Sequence, residues 1–222
     1  MSIDTEPFAD IPDPVARSVS RPIPEPLPPA ERSLTRRQTS LYRTLALALG
    51  AGWAVAVALY YGLRPDLLRA EILFQLATWT IAMPAGLALA VRPRPGGFPA
   101  GILALRLGLA ALPTLFIALA LLPVDGVEVK LSFRSVKWCM SRSLVTALPS
   151  MIGALVVLRG AFLNAPVLRG AVVGAVCGLA GTVAIHSHCP VVTPSHIVFA
   201  HGLPIVVFGA LGALSARFRG RA

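Results

Sequence analysis

The sequence predicts an all-α fold: a polytopic membrane helical bundle of about six transmembrane helices, preceded by a disordered N-terminal tail. Three observations carry this prediction. Of 222 residues, 55% are hydrophobic, and the mean hydropathy of +0.73 lies outside the range of soluble domains. The apolar residues gather in long runs that are apolar all round, not along one stripe, which is the pattern of helices with lipid as solvent. The first forty residues differ in kind, holding eight prolines, six of the ten acids, five of the twenty bases and few large apolar side chains.

Residues 1–40 are therefore expected to form a Pro-rich cytoplasmic tail and residues 41–222 a six-span membrane domain. The run from Arg21 to Pro29 alternates proline with other residues. This favours an extended polyproline II spacer of roughly 28 Å, at about 3.1 Å per residue. No basic segment followed by a short apolar stretch and a small-residue cleavage site opens the chain, so the tail is expected to stay attached. Phe8, Ile11, Val15 and Val19 fall at near-helical spacing and are candidate partner-binding residues that fold on docking, although Pro12 and Pro14 weigh against a helix there.

Six segments are long and apolar enough to cross a bilayer: 42–63, 71–91, 101–122, 143–159, 169–187 and 197–215, against a need of roughly 17–25 residues. The fourth is the shortest and contains Pro149; without it the termini would lie on opposite sides and 124–168 would be one long connection. Charge sets the direction, because Lys and Arg in short loops are retained in the cytoplasm. An inside N-terminus collects Arg32, Arg36, Arg37, Arg43, Arg92, Arg94, Arg106, Arg159, Arg169, Arg217, Arg219 and Arg221 on the inner face. The outer face receives Arg64, Arg69, Lys130, Arg134, Lys137 and Arg142, offset by Asp66, Glu71, Asp125 and Glu128. The expectation from charge is a multi-pass membrane protein with both termini cytoplasmic. The net charge of +10 is scattered at helix ends, which fits anchoring beside anionic lipid and no direct nucleic-acid partner.

Within the spans, Gly170, Gly174 and Gly178 recur every four residues, a spacing that lets a neighbouring backbone approach closely. Pro84, Pro113, Pro149 and Pro204 each remove one helical hydrogen bond, which reads as a tolerated bend. No acid lies deep in a span, and Arg106 is near enough to an end to snorkel to water. Ion-coupled transport, which uses ionisable groups at mid-membrane, is disfavoured.

The chemistry is at the outer face. All four histidines, His186, His188, His196 and His201, lie within sixteen positions together with Cys189. Imidazole and thiolate suit zinc and other borderline or soft cations, so these are candidate ligands for a transient divalent ion, with no obligatory cofactor. His186 and His201 can equally be interfacial side chains bonding backbone carbonyls. The connection 124–142 alternates Val127, Val129, Leu131 and Phe133 with Glu128, Lys130, Ser132 and Arg134. It is expected to lie extended or flat on the bilayer surface, ending at Trp138-Cys139 at the mouth of the fourth span.

Cys139 and Cys189 then face the same compartment and are candidate sensor residues. As a disulfide they would close about fifty residues, worth at most about 4 kcal/mol; as thiolates they would ligate a cation. Lys137 and Arg142 flank the first and His188 the second, an environment that favours a reactive thiolate. Cys177, among Ala, Val and Gly in mid-span, reads as an inert small hydrophobe.

The chain from the first span onward resembles the NrsF family of bacterial membrane anti-sigma factors. The resemblance rests on Trp138-Cys139, Ser143-Leu144 followed by Leu148-Pro149, Leu158-Arg159-Gly160-Ala161, Pro166 before a Gly-Ala-rich helix, His188-Cys189-Pro190 and His201-Gly202-Leu203-Pro204. It implies a six-span protein that holds an extracytoplasmic-function sigma factor at the inner membrane and releases it when heavy metal or oxidant reaches two extracytoplasmic cysteines. Cys139 and Cys189 match those positions. The tail departs from the family in its longer, Pro-rich spacer.

The expected function is thus regulatory binding, not catalysis. One alternative is a membrane thiol/quinone oxidoreductase, against which the lack of a Cys-x-x-Cys pair counts. The other is a metal transporter subunit, favoured by the histidine cluster and opposed by the lack of deep ionisable residues.

Overall fold

A computed structural model describes residues 36–91, 101–122, 132–157 and 165–219. The tail calls at Phe8, Ile11, Val15 and Val19, and the alternating positions Val127 to Leu131, lie outside the described residues. Every regular element described is helical: α1 (Arg36–Tyr61), α2 (Ala70–Val91), α3 (Ile102–Ala120), α4 (Phe133–Val157), α5 (Pro166–His186), α6 (Pro194–His196), a π-helical stretch (Ile197–Gly202) and α7 (Leu203–Arg219). The last three form one continuous rod, since the joining residues Ile197 and Leu203 keep right-handed helical dihedrals. Four segments are long and apolar enough to cross a membrane: Ala70–Ala90, Ile102–Ala120, Pro166–His186 and Pro194–Phe218; Ala48–Tyr61 is a shorter apolar stretch.

The exposed surface is apolar to a degree that water would not tolerate. Leu49, Leu59, Phe74, Ile81, Leu103, Leu107, Ile152 and Val206 are all more than half exposed. Polar side chains go inward instead, with Gln75, Ser143, Thr182, His186, His196 and His201 buried. Lipid around the bundle accounts for both halves of this inversion.

Helix α5 is the centre, with residues 169–179 buried without a break. Its glycines explain how a helix can be so enclosed. A Cβ on Gly170, Gly174 or Gly178 would run into the backbone of Gly212, Phe208 or Pro204 respectively on the rod, and one on Gly181 would meet Ser143 and Ala147 of α4. With no side chain at these positions, two backbones meet and gain dispersion contacts that lipid cannot match. Around this seam pack Trp79, stacked on Phe116 at 4.7 Å between ring centroids, and Leu105, Leu112, Leu179, Ile205 and Phe208. Cross-helix hydrogen bonds satisfy several buried polar groups: Gln75 Nε2 donates to the Leu119 carbonyl at 2.8 Å, and Arg169 donates to that of Ala90 at the opposite end of α2.

Helix α4 departs from expectation. It begins at Phe133, ten residues before the expected span, so Phe133 and Arg134, expected in an extended surface segment, are helical. The reason lies in a change of period: Val136, Cys139, Ser143 and Thr146 follow the three-to-four spacing of one helix face, and Val136 is partly buried and the other three fully. The guanidinium of Arg142 lies 3.0 Å from the ring centroid of Trp138 and 4.1 Å from that of Tyr61, stacked on aromatic faces that hold these first turns together. Pro84, Pro113 and Pro149 lie inside α2, α3 and α4. Pro204 is the second residue of α7, one position past Leu203, which follows the π-helical stretch.

Candidate functional site

At one end of the bundle the C-termini of α1 and α5, the N-terminus of α4 and the start of the rod converge. This brings Cys139 of α4 to Cys189, which lies just beyond α5, with their sulfurs 3.8 Å apart. Both are free thiols and both are buried. Ile185 and Ala200 share this pocket, with Val57 and Tyr61 of α1, Val136 and Val191 packed against it. The two thiols therefore meet in an apolar chamber, closed to bulk water.

Imidazoles complete the arrangement. His196 Nε2 lies 3.5 Å from Cys189 Sγ. The ligand atoms of Cys139, Cys189, His196 and His201 all lie within 4.8 Å of one another. The rings of His196 and His201 are 5.5 Å apart and tilted by 65°. His186 stands behind them, 5.4 Å from His201 and 5.0 Å from Trp79, edge-on to both. The ring nitrogens of His186 and His201 are buried without a hydrogen-bond partner. His188 takes another direction: its Nδ1 donates to the Gly62 carbonyl at 3.0 Å, and its ring lies 5.6 Å from that of Tyr61. Of the four candidate histidines, two join the thiols, one stands behind them and one ties α5 to α1.

The electrostatics follow from the geometry. The hydrogen bond from Cys139, reinforced by His196, strengthens Cys189, in the loop after α5, as an acid.

Local sequence explains how each group gets there. His201 lies five positions after His196, a step that in an α-helix ends about 140° round from its start. The π-helical hydrogen bond spans five residues, so each turn holds more residues, the same step overshoots one turn by much less, and the two rings come to the same side of the rod. Pro204 has no N–H for the preceding ladder. Thr182 Oγ1 donates to the His201 carbonyl at 2.6 Å, satisfying it from α5.

Residue reading alone missed a second feature of this end. Arg64, counted there as one outer charge among several, is buried and paired with Asp66 by two hydrogen bonds of 2.6 and 2.7 Å. Its backbone N–H donates to the Ser187 carbonyl at 2.9 Å, and its guanidinium lies 3.4 Å from the Pro190 carbonyl. The only sequence signal was an Arg and an Asp two residues apart around Pro65.

A family model described as NrsF, negative regulator of sigma F, matches residues 29–221. No curated protein and no solved structure matches the chain.

Proposed function

Since the chain belongs to the NrsF family, negative regulators of sigma F, we propose that it is a membrane-bound anti-sigma factor. It sequesters an extracytoplasmic-function sigma factor on the cytoplasmic side and releases it when heavy metal or oxidant reaches Cys139 and Cys189 outside. The observation that carries the sensor half is the 3.8 Å approach of two free thiols fifty residues apart in the chain.

In this reading α1 and α4, of 26 and 25 residues, cross the bilayer beside the four more apolar segments, giving six spans of an inner membrane. The excess of arginine at the ends opposite the thiols supports cytoplasmic termini. Residues 1–40 then hang in the cytoplasm as a Pro-rich tail, and Phe8, Ile11, Val15 and Val19 form its docking face. The other inner elements are short loops and the Arg217-Phe218-Arg219-Gly220-Arg221 end, which suits binding and not catalysis.

Two chemistries act on the thiols. An oxidant takes two electrons and two protons from the pair to form a disulfide, or a cation displaces the thiol protons and is held by the thiolates. Either draws α4 against the loop after α5. Two contacts between α4 and α1 support a route towards the inner side: Trp53 Nε1 of α1 donates to the Thr146 carbonyl of α4 at 3.0 Å, and Gly50 approaches Ser150 closely. A two-state shift of α4 therefore carries α1, and with it the segment that precedes α1.

The test is transcription of the sigma-dependent regulon in cells carrying Cys139→Ser with Cys189→Ser. Induction by thiol-reactive metal and by oxidant is expected to disappear, while co-purification of the sigma factor persists in their presence. Unchanged induction in the double variant would end the sensor assignment.

A further inference from the structure

We infer that Cys139, Cys189, His196 and His201 form a closed, four-coordinate site for a zinc-sized divalent cation, assembled by the π-helical stretch of the rod. This deepens the sensor proposal, on which its regulatory meaning rests. The argument for the site itself is geometric.

Zinc bonds of about 2.3 Å to sulfur and about 2.0–2.1 Å to nitrogen, at tetrahedral angles, place two sulfurs about 3.8 Å apart and a sulfur and a nitrogen about 3.6 Å apart. The two distances seen are 3.8 Å for Cys139 Sγ to Cys189 Sγ and 3.5 Å for Cys189 Sγ to His196 Nε2. The first alone would fit a bare pair of hydrogen-bonded thiols. The second adds a nitrogen at the edge length of the same tetrahedron, and His201 supplies a fourth donor within 4.8 Å of the rest.

A second observation points to a ligand independently. His201 is completely buried, and neither of its ring nitrogens has a hydrogen-bond partner. Leaving a buried imidazole unsatisfied is unfavourable, and a cation would give one of these two nitrogens a partner. The π-helical stretch has the same purpose: an ordinary α-helix would turn His201 away from His196. Such insertions recur at functional sites because they re-aim side chains.

The donor set decides the ion class. Two thiolates and two imidazoles favour zinc and related borderline or soft cations over magnesium or calcium, which take oxygen. Binding is proton-balanced: each thiol gives up its proton as its metal–sulfur bond forms, and the neutral imidazoles donate lone pairs. Four protein ligands leave no open position, so the ion is held and not used for catalysis. Closing the longest edge from 4.8 Å to a tetrahedral edge contracts the cluster by about 1 Å. That contraction pulls together α4, the loop after α5 and the rod, the three elements that supply the ligands.

The experiment uses the full chain in lipid nanodiscs, reduced and stripped of metal, titrated with Co2+ and then Zn2+. One Co2+ per chain is expected, with the intense visible bands of a tetrahedral centre and a thiolate-to-cobalt charge-transfer band, both erased by Zn2+. Cys139→Ser, Cys189→Ser, His196→Ala and His201→Ala should each weaken binding by more than about 100-fold, the upper end of the losses seen when outer-shell partners are removed. His188→Ala should leave it within about two-fold. X-ray absorption of the zinc-loaded wild type, which needs no variant to fold, should count two sulfur and two nitrogen neighbours. Absence of binding, a weak octahedral spectrum, or binding that ignores the histidine substitutions would overturn the inference. A four-ligand site whose cysteines prove dispensable for induction in cells would instead overturn the sensor proposal and leave the site standing. Induction that needs the cysteines, without a four-ligand site, would do the reverse.

Discussion

Helices α5 and α1 run through the same bundle and are held in opposite ways. Residues 169–179 of α5 are all buried, and its glycines press against neighbouring backbones. On α1, Leu49, Val55, Leu59 and Tyr60 are each more than half exposed, and a groove of about 590 Å³ runs between its aromatic C-terminal half and α4. The difference separates scaffold from moving part. A helix enclosed on every side cannot shift without breaking many contacts, whereas one packed mainly against a single neighbour can move with that neighbour. The neighbour is α4, which carries Cys139.

The most damaging way to break this contrast is to put bulk into the α5 seam. In Gly174→Leu the new side chain meets the backbone of Phe208 and Gly209, where no rotamer can relieve the clash. The expected loss is about 3 kcal/mol or more, at or beyond the upper end for overpacking, with lower yield from the membrane and a lower unfolding temperature in detergent. The same change at Gly52, beside which a Cβ meets nothing, should cost less than about 0.5 kcal/mol, as ordinary surface substitutions do. Equal effects at the two positions would mean that α5 is no more a scaffold than α1.

The contrast was only partly legible in the chain. Long apolar runs located the helices because lipid demands that pattern whatever the tertiary packing, and the four-residue glycine spacing pointed to a close seam. The same runs could not say which helix is central, since a span facing lipid and one buried among helices are equally apolar. At the thiol end, Cys139 and Cys189 could be placed on one side by counting crossings. The roles of the histidines could not, because His186 and His188 differ by two positions and their division depends on where α5 ends. The pairing of His196 with His201 needed the π-helical hydrogen bond, which leaves no mark in residue types beyond a proline downstream. The helical start of α4 was masked by an alternating run that stops just before the spacing changes.

A milder perturbation sharpens the contrast at the joint between α1 and α4. Trp53→Phe keeps an aromatic ring and removes only the hydrogen bond to the Thr146 carbonyl. Within a membrane such a bond is worth about 0.6 kcal/mol on average, so the unfolding temperature should barely move. If α1 takes its signal from α4, the response to metal in cells should nevertheless be blunted, because the two helices no longer move as one. A full response would show that α1 is guided elsewhere along its length.

The smallest expected effect concerns a tie between the ends of α1 and α5. Beyond the last turn of α1, Arg64 bonds Ser187 through its backbone, Gly62 accepts from His188, and Asp66 neutralises the buried guanidinium. The hydrogen bonds from Arg64 hold the Asp66 carboxyl below its ordinary value. A carboxylate more acidic folded than unfolded contributes stability that is complete above its ordinary value of about 3.9 and is lost as pH falls through the depressed one. Asp66→Asn should therefore be slightly less stable than wild type near neutrality, with the gap between them closing below about pH 4, as followed by thermal unfolding in detergent across that range. Because the tie acts only at the thiol end, the variant should leave the far end of α2, where Arg169 reaches Ala90, as protected from hydrogen exchange as before. Loss of protection there would mean that the clamp holds the entire bundle, and that α1 is less independent of the α5 scaffold than its exposed flank implies.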